Sequence, residues 1–103
     1  MTASDRKPRP GTDWTATEVK IVVADYLDML RKEQSGEPYS KTEHRIALRA
    51  RLPARSSGAI EFKHANISAA LADIGMPFIE GYKPRGNYQH ALIAELKREL
   101  RQE

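Results

Sequence analysis

Residues 55–74, RSSGAIEFKHANISAALADI, constrain the fold more than any other stretch of the chain. Ile60, Ile67, Leu71 and Ile74 recur at helical spacing and predict a helix with one inward apolar stripe. Ser56 or Ser57 is the expected N-cap, its hydroxyl accepting from a free amide of the first turn. Gly75, with Pro77 close behind, is the expected stop. The polar face carries Ser57, Glu61, Lys63, His64 and Asn66, all ending in hydrogen-bonding groups, and the short basic turn 53–55 precedes it. Such a face is expected to lie against another molecule, and a nucleic acid fits it best.

Two further helices are expected before it. Thr15 to Glu18 reads as a capping box, with Trp14 and Val19 placed as a hydrophobic staple. Val19, Val22, Val23, Tyr26, Leu27 and Leu30 then form a wide apolar face that runs to about Glu33, and Gly36 ends it. Asp25 and Asp28 lie off that face, and the acidic surface of this helix would repel DNA. A second capping box, Ser40 to Glu43, starts a helix at Lys41, and Pro53 closes it after Arg51 because proline disfavours helix at the preceding residue. Ala47 and Leu48 are expected inside, with Ile46 or Leu52 completing the contact. Lys41, Arg45 and Arg49 follow at four-residue steps as a basic ridge. A charge run of this kind is often only a solvated surface; here it leads into Arg51 and Arg55. Residues 41–74 thus have the proportions of a helix-turn-helix, braced by the first helix.

Beyond Gly75, residues 76–79 (MPFI) are apolar and expected to pack back on the bundle. The loop that follows brings Tyr82, Lys83, Arg85, Asn87, Tyr88 and Gln89 together around Gly81, Pro84 and Gly86. Rings interleaved with cations and amides suit phosphate contact and stacking, as a wing beside a recognition helix. The alternative is that both tyrosines finish the core. A last helix over 88–102, with Asn87 as N-cap, shows Leu92, Leu96 and Leu100 in a row beside Ala91 and Ile93. The row serves either the core or a dimer. Residues 1–12 carry Arg6, Lys7 and Arg9 among prolines and read as a disordered basic arm, either a plain terminus or a reach along a phosphate backbone.

Charge distribution supports the same face. Net charge is only +3, but residues 13–37 hold six acids against three bases, whereas 41–63 hold six bases against Glu43 and Glu61. A domain polarised in this way turns its basic side to a polyanion. With no cysteine, disulfides, thiolate metal sites and a cysteine nucleophile are excluded. No apolar run approaches the roughly 20 residues of a membrane span, and no signal segment opens the chain, so a cytoplasmic protein is expected. His44, His64 and His90 fall on three different helices; Glu61 and His64 are three apart but not doubled, a weak metal signal. Neither a metal nor another cofactor is expected, and no catalytic motif is evident.

Three segments then carry a resemblance: WTATEVKIVVADYLDML, GEPYSKTEHRIALRARLPARSSGAIEFKHANISAAL and GMPFIEGYKPRGNYQ. In that order they resemble a small N-terminal module of modular bacterial proteins, among them HNH-type restriction endonuclease-like and phage-defence chains. Arg55, Ser56, Ala59, Ile60, Lys63, Asn66 and Ile67 also resemble the third helix of Myb-like helix-turn-helix domains. The resemblance implies that this helix docks in a DNA major groove, with Arg55, Ser56, Lys63 and Asn66 at or near the contact surface. No HNH-like histidine and asparagine arrangement follows Gln89, so a targeting module without the nuclease is implied.

The expectation is therefore an all-α, three-helix helix-turn-helix-like bundle (core 15–75, loop 76–87, extra helix 88–102) forming one domain over 13–103. Its function is expected to be non-enzymatic binding of double-stranded DNA in a restriction or defence system, with a second copy or a nuclease effector as further partners. Lys41, Arg45, Arg49 and Arg55 would meet phosphates. Ser57, Glu61, Lys63 and His64 would approach base edges or backbone, and the 82–89 loop would clamp alongside. The alternative is a protein-interaction or dimerisation module using the leucine row.

Overall fold

In a computed structural model of the chain, which describes residues 14–101, the hydroxyls of Thr15, Ser40 and Ser56 each accept from the amide three residues on, at 3.1 Å. These caps start α1 (Ala16–Ser35), α2 (Lys41–Arg51) and α3 (Ser57–Asp73). At Thr15 the box is complete, because Glu18 Oε1 accepts from the Thr15 amide at 3.0 Å. Gly36 and Gly75 take left-handed φ values of 77° and 74° beyond α1 and α3, a conformation that costs glycine little. The fourth helix, α4 (His90–Arg101), begins two residues later than its spacing predicts. Asn87 has a φ of 59°, the left-handed region, and not the extended conformation of an N-cap. The basic arm expected over 1–12 lies outside the described residues.

The protein is all-helical, with no strand among the described residues. No described helix is long and apolar enough to cross a membrane. α1 and α3 each pack on all three other helices, whereas α2 and α4 do not touch one another. Val19, Val22, Val23, Tyr26, Leu27 and Leu30 are buried as the α1 pattern predicts, and Met29 joins them. Tyr26 ties three segments together: its hydroxyl accepts from the Ile79 amide at 2.8 Å and shares a hydrogen bond with Ser68 Oγ at 2.6 Å. Ile79 is fully buried and Phe78 half-buried against the core, so the 76–79 segment folds back at its end, while Met76 and Pro77 stay exposed.

Facing departs from expectation in part on α2, where Leu48 and the Leu52 alternative hold but Ala47 does not, and on the polar side of α3. α2 turns Leu48 and Leu52 inward, four residues apart, which leaves Ala47 exposed and Ile46 63% exposed. Beside the leucine stripe, α1 and α3 half-cover His44 and Arg45, which meet Asp25 and Glu61. α3 is not amphipathic: every residue from Lys63 to Leu71 is buried, polar ones included. A helix buried all round is a central element, and here neighbouring helices and the 82–89 loop enclose it. Its Ile60, Ile67 and Leu71, fully buried, each contribute about 1.5–3 kcal/mol relative to exposure. On α4, Leu92 and Leu96 are fully buried against the bundle and Leu100 is half-buried, so the leucine row is largely core contact.

Candidate nucleic-acid interface

The basic ridge of α2 is partly engaged by its surroundings. Lys41 Nζ donates to the Gly81 carbonyl at 3.1 Å and stands 4.3 Å from the Tyr82 ring centroid. One turn on, Arg45 donates to Glu61 Oε1 at 3.2 Å, linking α2 to the exposed beginning of α3. Both partners keep solvent contact, so the pair adds at most about 1 kcal/mol and Arg45 remains free to exchange Glu61 for another anion. Arg49 and Arg51 are exposed.

The side chains expected to project from α3 divide sharply at its second turn. Ser56 is exposed in its capping role, and Ser57 and Glu61 are half-buried. Lys63, His64 and Asn66 are turned inward, at most 2% exposed, and do not form a free polar face. The reason is the loop. Asn66 Nδ2 donates to the Arg85 and Gly86 carbonyls at 2.7 and 3.2 Å, and Lys63 Nζ donates to Gln89 Oε1 at 3.0 Å. The Arg85 amide in turn reaches the Ala65 carbonyl at 3.1 Å. The expected wing is strapped over the helix it was to stand beside. Burial, followed by the charge of Arg55, lowers the Lys63 pKa from 10.5 to about 8.

Arg55 is also interior, at 1% exposure. Its guanidinium grips Glu18 through both carboxylate oxygens, at 2.7 and 3.2 Å, and lies 4.6 Å from the Trp14 ring centroid. Burial alone would raise the Glu18 carboxyl, but the Arg55 hydrogen bond and the Thr15 amide together hold it below the usual carboxylate range. Lys63 Nζ sits on the same ring at 4.9 Å. Arg55 and Lys63 therefore fasten the start of α1 to α3, with Trp14 between them.

His64 faces α1 and α2. Its Nε2 lies 4.0 Å from Asp25 Oδ2, while His44 Nδ1 pairs with Asp25 Oδ1 at 2.8 Å. Neither ring nitrogen of His64 has a hydrogen-bond partner among the described residues, and the Tyr82 ring packs against it with centroids 4.8 Å apart, tilted by 48°. Burial, with the charges of His44 and Lys41 behind it, lowers the His64 pKa to about 3. Glu61 and His64 do not converge as a pair: Glu61 meets Arg45 at the half-exposed start of α3, while His64 is fully buried toward Asp25.

In the loop Tyr82 is buried, and its pKa is pushed up to about 12 by that burial. Lys83, Arg85 and Asn87 are exposed, and Tyr88 and Gln89 are half-buried. The Tyr88 hydroxyl donates to Asp73, and Gln89 Nε2 to the Trp14 carbonyl at 3.3 Å. Tyr82 is core and Tyr88 packs half-buried at its edge, as the packing alternative for this loop expects, and Lys83 and Arg85 stay outside.

One residue absent from the sequence reading stands in the middle of this surface. Phe62 is 43% exposed, next to Glu61, with Arg85 Cζ 5.7 Å from its ring centroid. The signal was present: Phe62 lies off the stripe of Ile60, Ile67 and Leu71, so its ring has no place in the core. No protein family, curated protein or solved structure matches the chain.

Proposed function

We propose that the chain is a non-catalytic nucleic-acid-binding module whose docking face is α2, the first two turns of α3 and the outer edge of the 82–86 loop. The observation that carries this reading is a pair of contacts. Arg45 meets Glu61 at 3.2 Å and Arg85 meets the Phe62 ring at 5.7 Å, so two basic segments about forty residues apart flank the same exposed end of α3. Arg45 marks one flank and Arg85 the other, Lys41 bridges α2 to the loop at the Gly81 carbonyl, and Arg49 and Lys83 are exposed. Cations converging from separate segments on one face suit a phosphate backbone. The resemblance to targeting modules of restriction and defence proteins supports the same class. α3 contributes Ser56, Ser57 and Glu61 at its exposed end, and its inner polar residues position the loop.

The experiment is fluorescence anisotropy of a labelled oligonucleotide titrated at several salt concentrations. Each phosphate neutralised should add about 0.7–0.9 to the magnitude of the log–log salt slope, so Arg49→Ala should reduce the slope by about that amount. Binding that ignores salt, or a slope unchanged in Arg49→Ala and Lys83→Ala alike, would contradict the reading. The rival, a dimer through the leucine row, has Leu92 and Leu96 already within the protomer's core, leaving half-buried Ile74, Ile93 and Leu100 and the 40%-exposed Met76 for a partner among the described residues. Sedimentation at rising protein concentration separates the two.

A further inference from the structure

We propose, resting on the nucleic-acid reading above, that this face takes a single strand, with an unpaired base stacked on Phe62. Reading base edges from a helix in a major groove needs long polar side chains projecting from it, and bidentate contacts are the usual means. The two α3 residues with suitable groups, Lys63 and Asn66, are at most 2% exposed and are hydrogen-bonded to the loop. What the exposed turns offer is short hydroxyls, one carboxylate and an aromatic ring. A ring can reach the face of a base only where that face is uncovered, and in a duplex every interior base is stacked on both sides.

Phe62 fits that role by position. It is 43% exposed on a helix whose other large apolar residues, Ile60, Ile67 and Leu71, are fully buried. The Arg85 guanidinium at 5.7 Å supplies a cation against the ring, and Arg45, held to neighbouring Glu61, supplies another on the far flank. Base–aromatic stacking beside cations that follow the backbone is the arrangement by which single strands are held without sequence preference. A strand would run across α3, its phosphates between the α2 ridge and Lys83 and Arg85, with one base turned down on Phe62.

Labelled dT15, rU15 and a 15-base-pair duplex, titrated by anisotropy against the full chain and Phe62→Ala, test the proposal. At least one single strand should bind about 10-fold more tightly than the duplex, and Phe62→Ala should weaken it about 10-fold, the effect of one stacked base. Whichever single strand binds more tightly identifies the sugar. Phe62→Trp should retain binding and add an emission that the single strand quenches. Duplex binding equal to or tighter than single-strand binding, or no effect of Phe62→Ala, overturns the single-strand proposal while salt-dependent binding preserves the nucleic-acid reading. Absence of binding to all three probes at low salt removes both.

Discussion

His64 is the residue whose environment has the plainest physical consequence. It is enclosed by Tyr26 and Tyr82, with Asp25 of α1 and His44 and Lys41 of α2 as the ionisable groups facing it. Its pKa falls from 6.5 to about 3, so below pH 6.5 the unfolded chain binds a proton that the folded chain excludes. Stability is therefore fully present above that pH and is lost as pH falls toward 3, by about 1.4 kcal/mol per unit well inside the window. Asp25 acts in the opposite sense, because burial raises its carboxyl and protonation then favours the fold. The decline is expected first, between about pH 6.5 and 5, in urea unfolding followed by circular dichroism. His64→Leu should flatten it, and an identical decline in that variant would assign the effect elsewhere. At this scale the candidate site was legible only in its residue types. Lys63, His64 and Asn66 were recognisable as polar on an otherwise apolar helix, but whether such groups face solvent or satisfy a loop depends on contacts 19 to 26 residues away.

Helix starts were legible because capping is local. The hydroxyls at 15, 40 and 56 and the stop at Pro53 place the first three helices nearly residue for residue. The α4 start was missed because asparagine serves both as an N-cap and as a left-handed turn residue, and spacing alone does not distinguish them. Facing was missed on α2 and α3 because it depends on how many neighbours each helix acquires. The junction of α1 and α3 yields a prediction of its own. Arg55→Ala removes a buried cation from the Glu18 carboxylate and the Trp14 ring together, and should lower unfolding stability by about 3 kcal/mol. Arg55→Lys should not restore it, since an ammonium cannot reproduce the two-point grip. If Arg55→Ala instead weakens oligonucleotide binding with unfolding unchanged, Arg55 is a contact residue and the junction has been misread.

At the scale of the whole molecule, folding partly cancels the charge segregation of the sequence: α1 turns Asp25 to His44 of α2 and Glu18 to Arg55, while Arg85 reaches Phe62 beside the Arg45–Glu61 pair. The all-helical architecture was legible from periodicity and caps. The loop strapped across α3 was not, because no local pattern announces a carbonyl held by an asparagine from another segment.

The central claim is that the docking face is assembled from α2, the exposed end of α3 and the loop edge. The most direct test is two-dimensional amide NMR of the full chain titrated with dT15 and, separately, with rU15. Shift changes are expected to concentrate at residues 41–51, 56–62 and 82–86, leaving α4 and the acidic surface of α1 unmoved. Changes concentrated on α4 or on residues 28–37 at the end of α1 and just beyond it, or none with either strand, would contradict it.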